Sequence, residues 1–334
     1  MKTVQFLGNG KVEILEAPKP ARDEKSVIVK VKASAICGSE LGVFQGPFKK
    51  DEAFHNAGHE VVGVIDGAPH SSIWKEGMRV GARVVQGCGR CSWCKQGYET
   101  ACLSKRLYTK NGHSEYFKLG INGIQPIPEG VEWPPAAILT GDGLGVPVRV
   151  ARRLKSTEGA KVLVLGLGPI GLGCVMVQAH RGAEVMGADI SEYRVRLARE
   201  MGAVGSINVR SPDFRDSFFA WTEGRGADVV ILAAGREEAL LTAIDLVKRQ
   251  GTVFQAAELE EAKIRPSAAF IQKEITMTGS WYYTSEDWKE MVALHDQGLP
   301  YARLVTHVFD LDQAQDAYNL FASRESGKVI LRYD

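Results

Sequence analysis

Four cysteines crowd into one short stretch of the sequence, with the spacing Cys-x2-Cys-x2-Cys-x7-Cys. They are Cys88, Cys91, Cys94 and Cys102. Four thiolates in one loop suit a tetrahedral zinc ion, with Zn–S distances of about 2.3 Å. Because four thiolates leave no coordination position open, such an ion would be structural. Free or disulfide-bonded cysteines are the alternative, but this spacing is typical of a metal site.

A glycine-rich motif, Gly166-Leu-Gly168-Pro-Ile-Gly171, follows the apolar run Val162–Leu165 and precedes a helical pattern. This context is typical of a dinucleotide-binding loop, although an ordinary tight turn is the alternative. The first glycine permits the turn, the second lets a pyrophosphate approach the backbone, and the third packs the helix on the strand. The free N–H groups at the start of the helix would then bind the phosphates.

An aspartate, Asp189, ends the next predicted strand, eighteen residues beyond Gly171. A carboxylate at this place accepts both hydroxyls of the adenosine ribose and repels a 2′-phosphate, which favours NAD over NADP. The alternative is that Asp189 caps the following helix. Further candidate cofactor contacts lie in the motif and beside it: Pro169, Ile170, Arg194 and Ala233.

A second set of metal-binding residue types is more dispersed. Cys37-Gly38-Ser39 is followed about twenty residues later by Gly58-His59-Glu60. A single cysteine is usually just buried, and a single histidine is more often structural. Beside a dinucleotide-binding motif, however, they supply a thiolate and an imidazole for a catalytic zinc ion that keeps one position open.

The elements that must position these residues point to an α/β protein. The first 140 residues are mainly β in pattern, with Val/Ile-rich runs at 26–35 and 60–66. From Lys161 onward short apolar strands alternate with helical stretches, which predicts a doubly wound parallel sheet of the Rossmann type. The tail carries helix candidates at 285–297 and 311–323 and a last strand at 328–332, and we expect it to return to the first domain.

Composition sets the remaining bounds. A chain of 334 residues suits two domains, and 41 basic against 40 acidic residues argue against nucleic acid or an anionic membrane as partner. The expected partner is a small molecule. The stretch Met1–Leu15 alternates apolar and polar residues, which predicts a first strand and not a signal peptide. With the cysteines at metal-ligand spacing, we expect a reducing, cytoplasmic setting.

These landmarks resemble the zinc-dependent medium-chain alcohol dehydrogenase superfamily over essentially the whole chain, particularly its polyol-, sorbitol- and threonine-dehydrogenase-like branch. Gly112-His-Ser-Glu115-Tyr116 is a further matching motif. The resemblance implies a GroES-like, β-rich catalytic domain at 1–144, with the structural-zinc loop at 87–103. It also implies an NAD-binding Rossmann domain at 145–281 and a return to the catalytic domain at 282–334.

The resemblance further implies two zinc ions per chain and a role for each site residue. Cys37 and His59 would be ligands of the catalytic zinc, and Glu60 a further ligand or a nearby carboxylate. Ser39 would receive the substrate proton. Asp142 aligns with an acidic ligand of threonine-dehydrogenase-like members, although it could instead cap the following helix. Glu60 is the alternative third donor, exchanging with Asp142 as substrate arrives.

The sequence also departs from the family pattern. Many relatives have a histidine three residues after the relay hydroxyl, and this chain has Gly42 there. His55 is a candidate substitute in the proton relay, or an incidental loop histidine. Glu40 stands where the family usually has aspartate.

The expected reaction is hydride transfer between NAD(H) and a secondary alcohol or ketone. Gly38, after the ligand cysteine, is similar to polyol, sugar and threonine dehydrogenases, so we expect a polyol, cyclitol or sugar-type substrate. Trp281-Tyr282-Tyr283 would line a polar pocket or pack at an interface. The alternatives are a zinc-free reductase of the same superfamily and a non-catalytic nucleotide or zinc sensor. We expect a homodimer or homotetramer.

Overall fold

The chain divides into two compact units. The computed structural model describes residues 1–48, 56–70, 72–108 and 110–334. One unit consists of Met1–Gly145 together with Tyr282–Asp334, and the other is Val146–Trp281. The first unit is therefore built from two separate stretches of sequence, and it holds the candidate metal ligands.

Strands dominate the first part of the chain, and strands and helices alternate in the second. The strands are β1 (Lys2–Gly8), β2 (Lys11–Glu16), β3 (Ser26–Ala35), β4 (Glu60–Gly67), β5 (Arg79–Ala82), β6 (Val85–Gln86), β7 (Arg106–Leu107), β8 (Tyr116–Gly120), β9 (Ile124–Pro126), β10 (Lys161–Leu165), β11 (Glu184–Asp189), β12 (Gly205–Asn208), β13 (Ala227–Leu232), β14 (Val247–Gln255), β15 (Thr276–Gly279), β16 (Val305–Asp310) and β17 (Lys328–Arg332). The helices are α1 (Leu41–Gln45), α2 (Ser92–Lys95), α3 (Trp133–Leu139), α4 (Asp142–Leu154), α5 (Pro169–His180), α6 (Glu192–Glu200), α7 (Phe214–Trp221), α8 (Glu237–Leu246), α9 (Ser285–Asp296) and α10 (Ala314–Ser323).

The unit Val146–Trp281 contains a parallel sheet with the order β12-β11-β10-β13-β14-β15. Numbered within the unit, this is the order 3-2-1-4-5-6 of the doubly wound Rossmann fold. Its central strand, β10, is buried on both faces, which explains the continuous apolar run that precedes the glycine motif. The predicted α/β fold class is confirmed.

In the other unit, one sheet has the order β16-β17-β3-β4-β5-β9, and β8 also pairs with β3. The tail strand β17 lies antiparallel to β3, with Ile330 opposite Ala35. Through this pairing the last part of the sequence reaches the strand that leads to Cys37. Apolar side chains of β1, β3, β4 and α10 fill the core beneath the sheet.

Two local features differ from the sequence-based expectation. The alternating pattern predicts one strand over Met1–Leu15, but this segment is a hairpin in which β1 pairs antiparallel with β2. Gly8, Asn9 and Gly10 all have positive φ, at 70°, 52° and 76°, and this Gly-Asn-Gly turn reverses the chain. The helix α3 interrupts the last part of the first 140 residues, and α4 follows from Asp142. In the described residues no helix is long and apolar enough to cross a membrane.

Candidate metal and cofactor sites

Four buried side chains converge in the unit that contains β3 and β4. Cys37 lies just beyond the end of β3, His59 and Glu60 stand at the start of β4, and Asp142 opens α4. One ligand atom from each lies within 4.8 Å of those from the others. Cys37 lies close to His59 and Glu60 because β3 and β4 are neighbouring antiparallel strands. The first residue of α4, Asp142, completes the cluster.

The donor atoms of this cluster are free to bind a metal ion. The Nδ1 atom of His59 lies 2.8 Å from the carbonyl oxygen of Ala57, and since a carbonyl only accepts, Nδ1 carries the hydrogen. The Nε2 lone pair is then available, 3.3 Å from an oxygen of Asp142. Within the part of the chain that the structure describes, His59 Nε2, Glu60 Oε2 and Asp142 Oδ1 are buried and have no hydrogen-bond partner. Ligands about 2.0 Å from a tetrahedral zinc ion lie about 3.3 Å apart, so the spacing fits zinc.

The electrostatics of the cluster also favour a cation. Burial tends to lower the pKa of His59, but Asp142 and Cys37 outweigh it and raise that pKa well above its ordinary value. Burial and the charge of Asp142 raise the pKa of Glu60, while Lys328 opposes the shift. A bound metal ion stabilises acidic groups that are crowded together in a buried site.

The four cysteines of the loop also lie at metal-binding distance. The Sγ atoms of Cys91 and Cys94 are 3.5 Å apart, and those of Cys88 and Cys94 are 4.0 Å apart. Thiolates about 2.3 Å from a tetrahedral zinc ion are separated by about 3.8 Å, whereas a disulfide needs about 2.05 Å. With Cys102 the four thiols form one cluster within 4.8 Å. They are all free, so this geometry fits zinc and not disulfides.

The glycine motif has the backbone geometry that its sequence predicts. Gly166 has φ of 91°, and a Cβ there would lie 2.9 Å from the backbone of Ala233. A Cβ on Gly171 would lie 1.8 Å from the carbonyl oxygen of Gly166, so that position needs glycine for the close packing of helix on strand. By contrast, a Cβ on Gly168 would meet only the Arg194 side chain, at 3.8 Å, which leaves room beside the backbone. Pro169 and Ile170 begin α5, and Gly168 is its N-cap.

The carboxylate of Asp189 binds the same loop. Its Oδ2 accepts a hydrogen bond from the backbone N–H of Leu167 at 2.6 Å, and its Oδ1 accepts one from Ser191 at 2.9 Å. The N-cap of α6 is Ser191, whose hydroxyl accepts the N–H of Arg194. The capping role considered for Asp189 therefore belongs to Ser191, and Asp189 joins the glycine loop to the end of β11.

Two family models match the chain. The model described as "Alcohol dehydrogenase GroES-like domain" matches residues 23–129, and the one described as "Zinc-binding dehydrogenase" matches residues 169–297. The chain belongs to the zinc-dependent medium-chain alcohol dehydrogenase superfamily. Both matches agree with the resemblance that the metal and glycine motifs indicate.

Named relatives within the alcohol dehydrogenase superfamily align along nearly the whole chain. A sorbitol dehydrogenase of Halalkalibacterium halodurans is 29% identical, over 97% of this chain and 96% of its own length. An L-threonine 3-dehydrogenase of Shewanella baltica is 28% identical, over 96% of both. The crystal structure of an Escherichia coli CFT073 alcohol dehydrogenase in complex with NADH has a TM-score of 0.87 and 27% identity, covering 100% of this chain and 99% of that one.

In this alcohol dehydrogenase superfamily member, a buried lysine lies beside the metal cluster. The ammonium group of Lys328, at the start of β17, forms a buried ion pair with Oε1 of Glu60. Lys328 is 1% exposed and Glu60 is fully buried, so this ion pair is shielded from solvent. Sequence reasoning does not find Lys328 because a lysine at the start of a strand usually faces solvent.

Glu40 is the centre of a buried polar network next to Cys37. It accepts the backbone N–H of Cys37 at 3.2 Å, and its other oxygen lies 2.9 Å from Nε2 of His113 and also accepts the hydroxyl of Tyr318. Burial tends to raise the pKa of Glu40, but His113 and the other partners lower it below its ordinary value. The longer side chain at the usual aspartate position thus holds the backbone of a candidate ligand. His113 belongs to a motif noted in the sequence, whereas no sequence signal indicates Tyr318.

The structure shows the surroundings of two of the three candidate proton-relay positions. Ser39 is exposed in the short 3-10 helix Gly38–Glu40, directly after Cys37. Gly42 is exposed in α1, and a Cβ there would meet no atom within 4 Å. His55 lies outside the described residues. The aromatic triplet does not supply a free hydroxyl at Tyr283, because that side chain is 1% exposed and its hydroxyl is hydrogen-bonded within the unit.

Proposed function

We propose that the chain is a zinc-dependent, NAD-linked dehydrogenase that transfers hydride between a secondary alcohol or ketone and NAD(H). The observation that carries this proposal is the buried cluster of Cys37, His59, Glu60 and Asp142. Three of its donor atoms have no hydrogen-bond partner among the described residues. We assign Cys37, His59 and Asp142 as ligands, with Glu60 as an alternative third donor. The four-cysteine loop would hold a second, structural zinc ion.

The residues around the cluster suggest how the reaction proceeds. Cys37, His59 and Asp142 would hold a zinc ion, which would supply Lewis-acid chemistry by lowering the pKa of a bound alcohol. The hydroxyl of Ser39, two residues after Cys37, takes the alcohol proton. Since Ser39 is exposed and Gly42 carries no imidazole, the proton passes from the serine to water. Glu40 keeps the backbone of Cys37 in place meanwhile.

NAD is the proposed cofactor because Asp189 ends β11 with its carboxylate on the glycine loop. Each carboxylate oxygen of Asp189 has a further lone pair that can accept a ribose hydroxyl. The negative charge of the carboxylate repels a 2′-phosphate. We also propose the domain division 1–144, 145–281 and 282–334. The two compact units, with breaks after Gly145 and Trp281, support it to within one residue.

The proposed substrate is a polyol, cyclitol or sugar-type secondary alcohol. Gly38 after the candidate ligand cysteine supports this choice. So does the similarity to a sorbitol dehydrogenase and an L-threonine 3-dehydrogenase, both named for secondary alcohol substrates.

We further propose a homodimer or homotetramer in a reducing, cytoplasmic compartment. The strand β15 is at the edge of its sheet, with Met277 37% exposed, and an edge strand presents unpaired N–H and C=O groups to another chain. Thiols at zinc-binding distance support a reducing environment. Analytical ultracentrifugation at several protein concentrations measures the assembly, and a monomer at every concentration would contradict this part.

The experiment that tests the function combines metal analysis with turnover. Purified protein should hold two zinc ions per chain and reduce NAD with members of a panel of secondary alcohols. In the variant Asp142→Asn, asparagine caps a helix as well as aspartate does, so a capping role predicts no loss. A ligand role predicts loss of the catalytic zinc and of turnover from a folded protein. Full zinc and near-normal turnover in Asp142→Asn would refute the assignment.

A further inference from the structure

Tyr283 occupies a particular place in the unit that holds the metal cluster. It is 1% exposed, and its hydroxyl donates a hydrogen bond to the carbonyl oxygen of Thr140. The amide of Gln125 lies 3.0 Å from the same phenol oxygen. Burial, then the charge of Asp142, raises the pKa of Tyr283 well above its ordinary value, so the hydroxyl keeps the proton that it donates.

The carbonyl that Tyr283 binds ends a helix. Thr140 is the C-terminal cap of α3, and the last carbonyls of a helix have no partner within it. Tyr283 supplies a donor for one of them. The phenol therefore fixes the end of α3, two residues before Asp142.

The ring of Tyr283 contacts the next helix as well. A Cβ added to Gly145, in the first turn of α4, would lie 2.2 Å from Cδ1 of Tyr283. The ring therefore packs directly on the backbone of α4. Thr140 and Gly141 form the break between α3 and α4, and Asp142 is the first residue of α4.

The position of Asp142 depends on this backbone. Its Oδ1 has no hydrogen-bond partner among the described residues, and its Oδ2 approaches His59 at 3.3 Å. Because Oδ1 accepts no hydrogen bond from the described residues, the backbone that carries Asp142 largely sets where this carboxylate points. We propose that Tyr283 is a positioning residue that holds the break between α3 and α4 so that Asp142 points at the catalytic metal. The proposal rests on the proposed role of Asp142 as a ligand.

Tyr283 is itself anchored in two ways. The next residue, Thr284, forms a capping box with Asp287 at the start of α9. The backbone N–H of Ser285 donates to Glu99 at 3.1 Å, and Glu99 belongs to the cysteine loop. The backbone directly after Tyr283 is therefore held by two sets of hydrogen bonds, as expected of a residue that orients a ligand.

The test is Tyr283→Phe, which removes only the hydroxyl. We expect the catalytic metal to be lost to a chelator about 10- to 100-fold faster, as for other changes next to a metal ligand. With Co²⁺ in the catalytic site and Zn²⁺ in the cysteine loop, the visible absorption bands of cobalt should shift. The matched control is Tyr301→Phe, another buried tyrosine of this unit, whose hydroxyl lies 2.9 Å from His295. The control should change neither the cobalt spectrum nor the rate of metal loss.

The outcomes separate this inference from the function on which it rests. If Asp142→Asn leaves the cobalt spectrum unchanged, the assignment of the ligand has failed. If Asp142→Asn alters the spectrum and Tyr283→Phe only lowers the melting temperature, the inference is overturned. If Tyr283→Phe does not fold, hydrogen exchange of the wild type decides. Loading the catalytic metal should slow exchange at residues 282–288, and unchanged exchange there would overturn the inference.

Discussion

At the scale of single residues, the metal cluster is dominated by negative charge. Cys37, Glu60 and Asp142 bring acidic groups into one buried place, and Lys328 is the cation that the structure shows in contact with Glu60. Burying a charge is costly unless it is paired. A bound zinc ion and Lys328 would therefore together compensate the negative charge of these acidic groups.

The variant Lys328→Met tests this balance. It leaves Glu60 buried without a partner, which should reduce the free energy of unfolding by about 3 to 5 kcal/mol. The loss should be larger for protein stripped of the catalytic metal, since zinc supplies positive charge. Urea denaturation measures both forms. As a control, Lys118→Met breaks an exposed pair with Asp23 and should cost about 0 to 1 kcal/mol. Equal losses in the two variants would contradict the prediction.

The variant Gly42→His tests the proton path from Ser39. The position has room for a side chain, because a Cβ there meets no atom within 4 Å. An exposed imidazole titrates near a pH of about 6.5, so the rate of NADH formation should gain a new inflection near that pH. Gly42→Gln fills similar space without titrating and serves as the control. Identical pH profiles for the two variants would exclude a relay role at this position.

At the scale of secondary structure, the sequence predicts best where one physical signal dominates. The bounds of β3 and β17 agree with the expected ranges 26–35 and 328–332, because both segments are rich in Val and Ile, which favour strands. The β1–β2 hairpin is not predicted, since its Gly8-Asn9-Gly10 turn interrupts an alternating pattern that continues on both sides. The break between α3 and α4 has no periodic signal of its own.

The sequence likewise predicts some residues of the candidate site and misses others. Local spacing indicates Cys88 to Cys102 and the glycine loop directly. Lys328, Tyr283 and Tyr318 reach the site from β17, from the residues before α9 and from α10. Their roles depend on contacts between residues more than 140 positions apart, which no local pattern encodes. A family resemblance supplies ligands, but it does not supply these neighbours.

The four-cysteine loop has its own prediction. Cys91→Ser should lower the melting temperature more than the turnover of the remaining folded enzyme, because a structural zinc site contributes folding free energy. Zinc content should fall from two ions to one. Cys174→Ala is the control: that thiol is fully buried in α5, and burial raises its pKa to about 12. It should keep both zinc ions. A stable Cys91→Ser protein with two zinc ions would refute the structural assignment.

The end of β11 carries the prediction on cofactor choice. Asp189→Ala should weaken NAD binding by about 1.5 to 3 kcal/mol, the range for hydrogen bonds to a charged group, and improve NADP relative to NAD. Asp189→Asn is the control for loop structure, since one oxygen remains to accept the N–H of Leu167. Kd values for both cofactors, measured by fluorescence, provide the comparison. A wild-type protein that binds NADP better than NAD would contradict the argument.

At the scale of the whole molecule, the two compact units contain different candidate sites. The metal clusters belong to Met1–Gly145, with the tail from Tyr282 contributing Lys328 and Tyr283. The glycine loop and Asp189 belong to Val146–Trp281. A ligand that binds the native state stabilises the structure that contacts it.

Hydrogen exchange measured by mass spectrometry should resolve the two effects. NAD should slow exchange at residues 161–171 and 184–194, around the glycine loop and Asp189. Removal of zinc should speed exchange at residues 36–40, 58–62 and 140–145. Local opening free energies differ across a structure, so each response is measurable by itself. A uniform change along the chain with either ligand would show that the sites are not localised as proposed.

The divided make-up of the unit that holds the metal cluster has a consequence for biosynthesis. A ribosome delivers Cys37, His59 and Asp142 early, but β17, which lies beside β3 and carries Lys328, emerges only after the entire unit Val146–Trp281. Contacts between such distant residues close slowly. The Rossmann unit, continuous in sequence, can fold first, while the strands around Glu60 wait as an incomplete sheet. Truncation before β17 would therefore leave Glu60 without its ion-pair partner and leave the sheet with an open edge. In such a nascent protein, chaperone capture competes with folding.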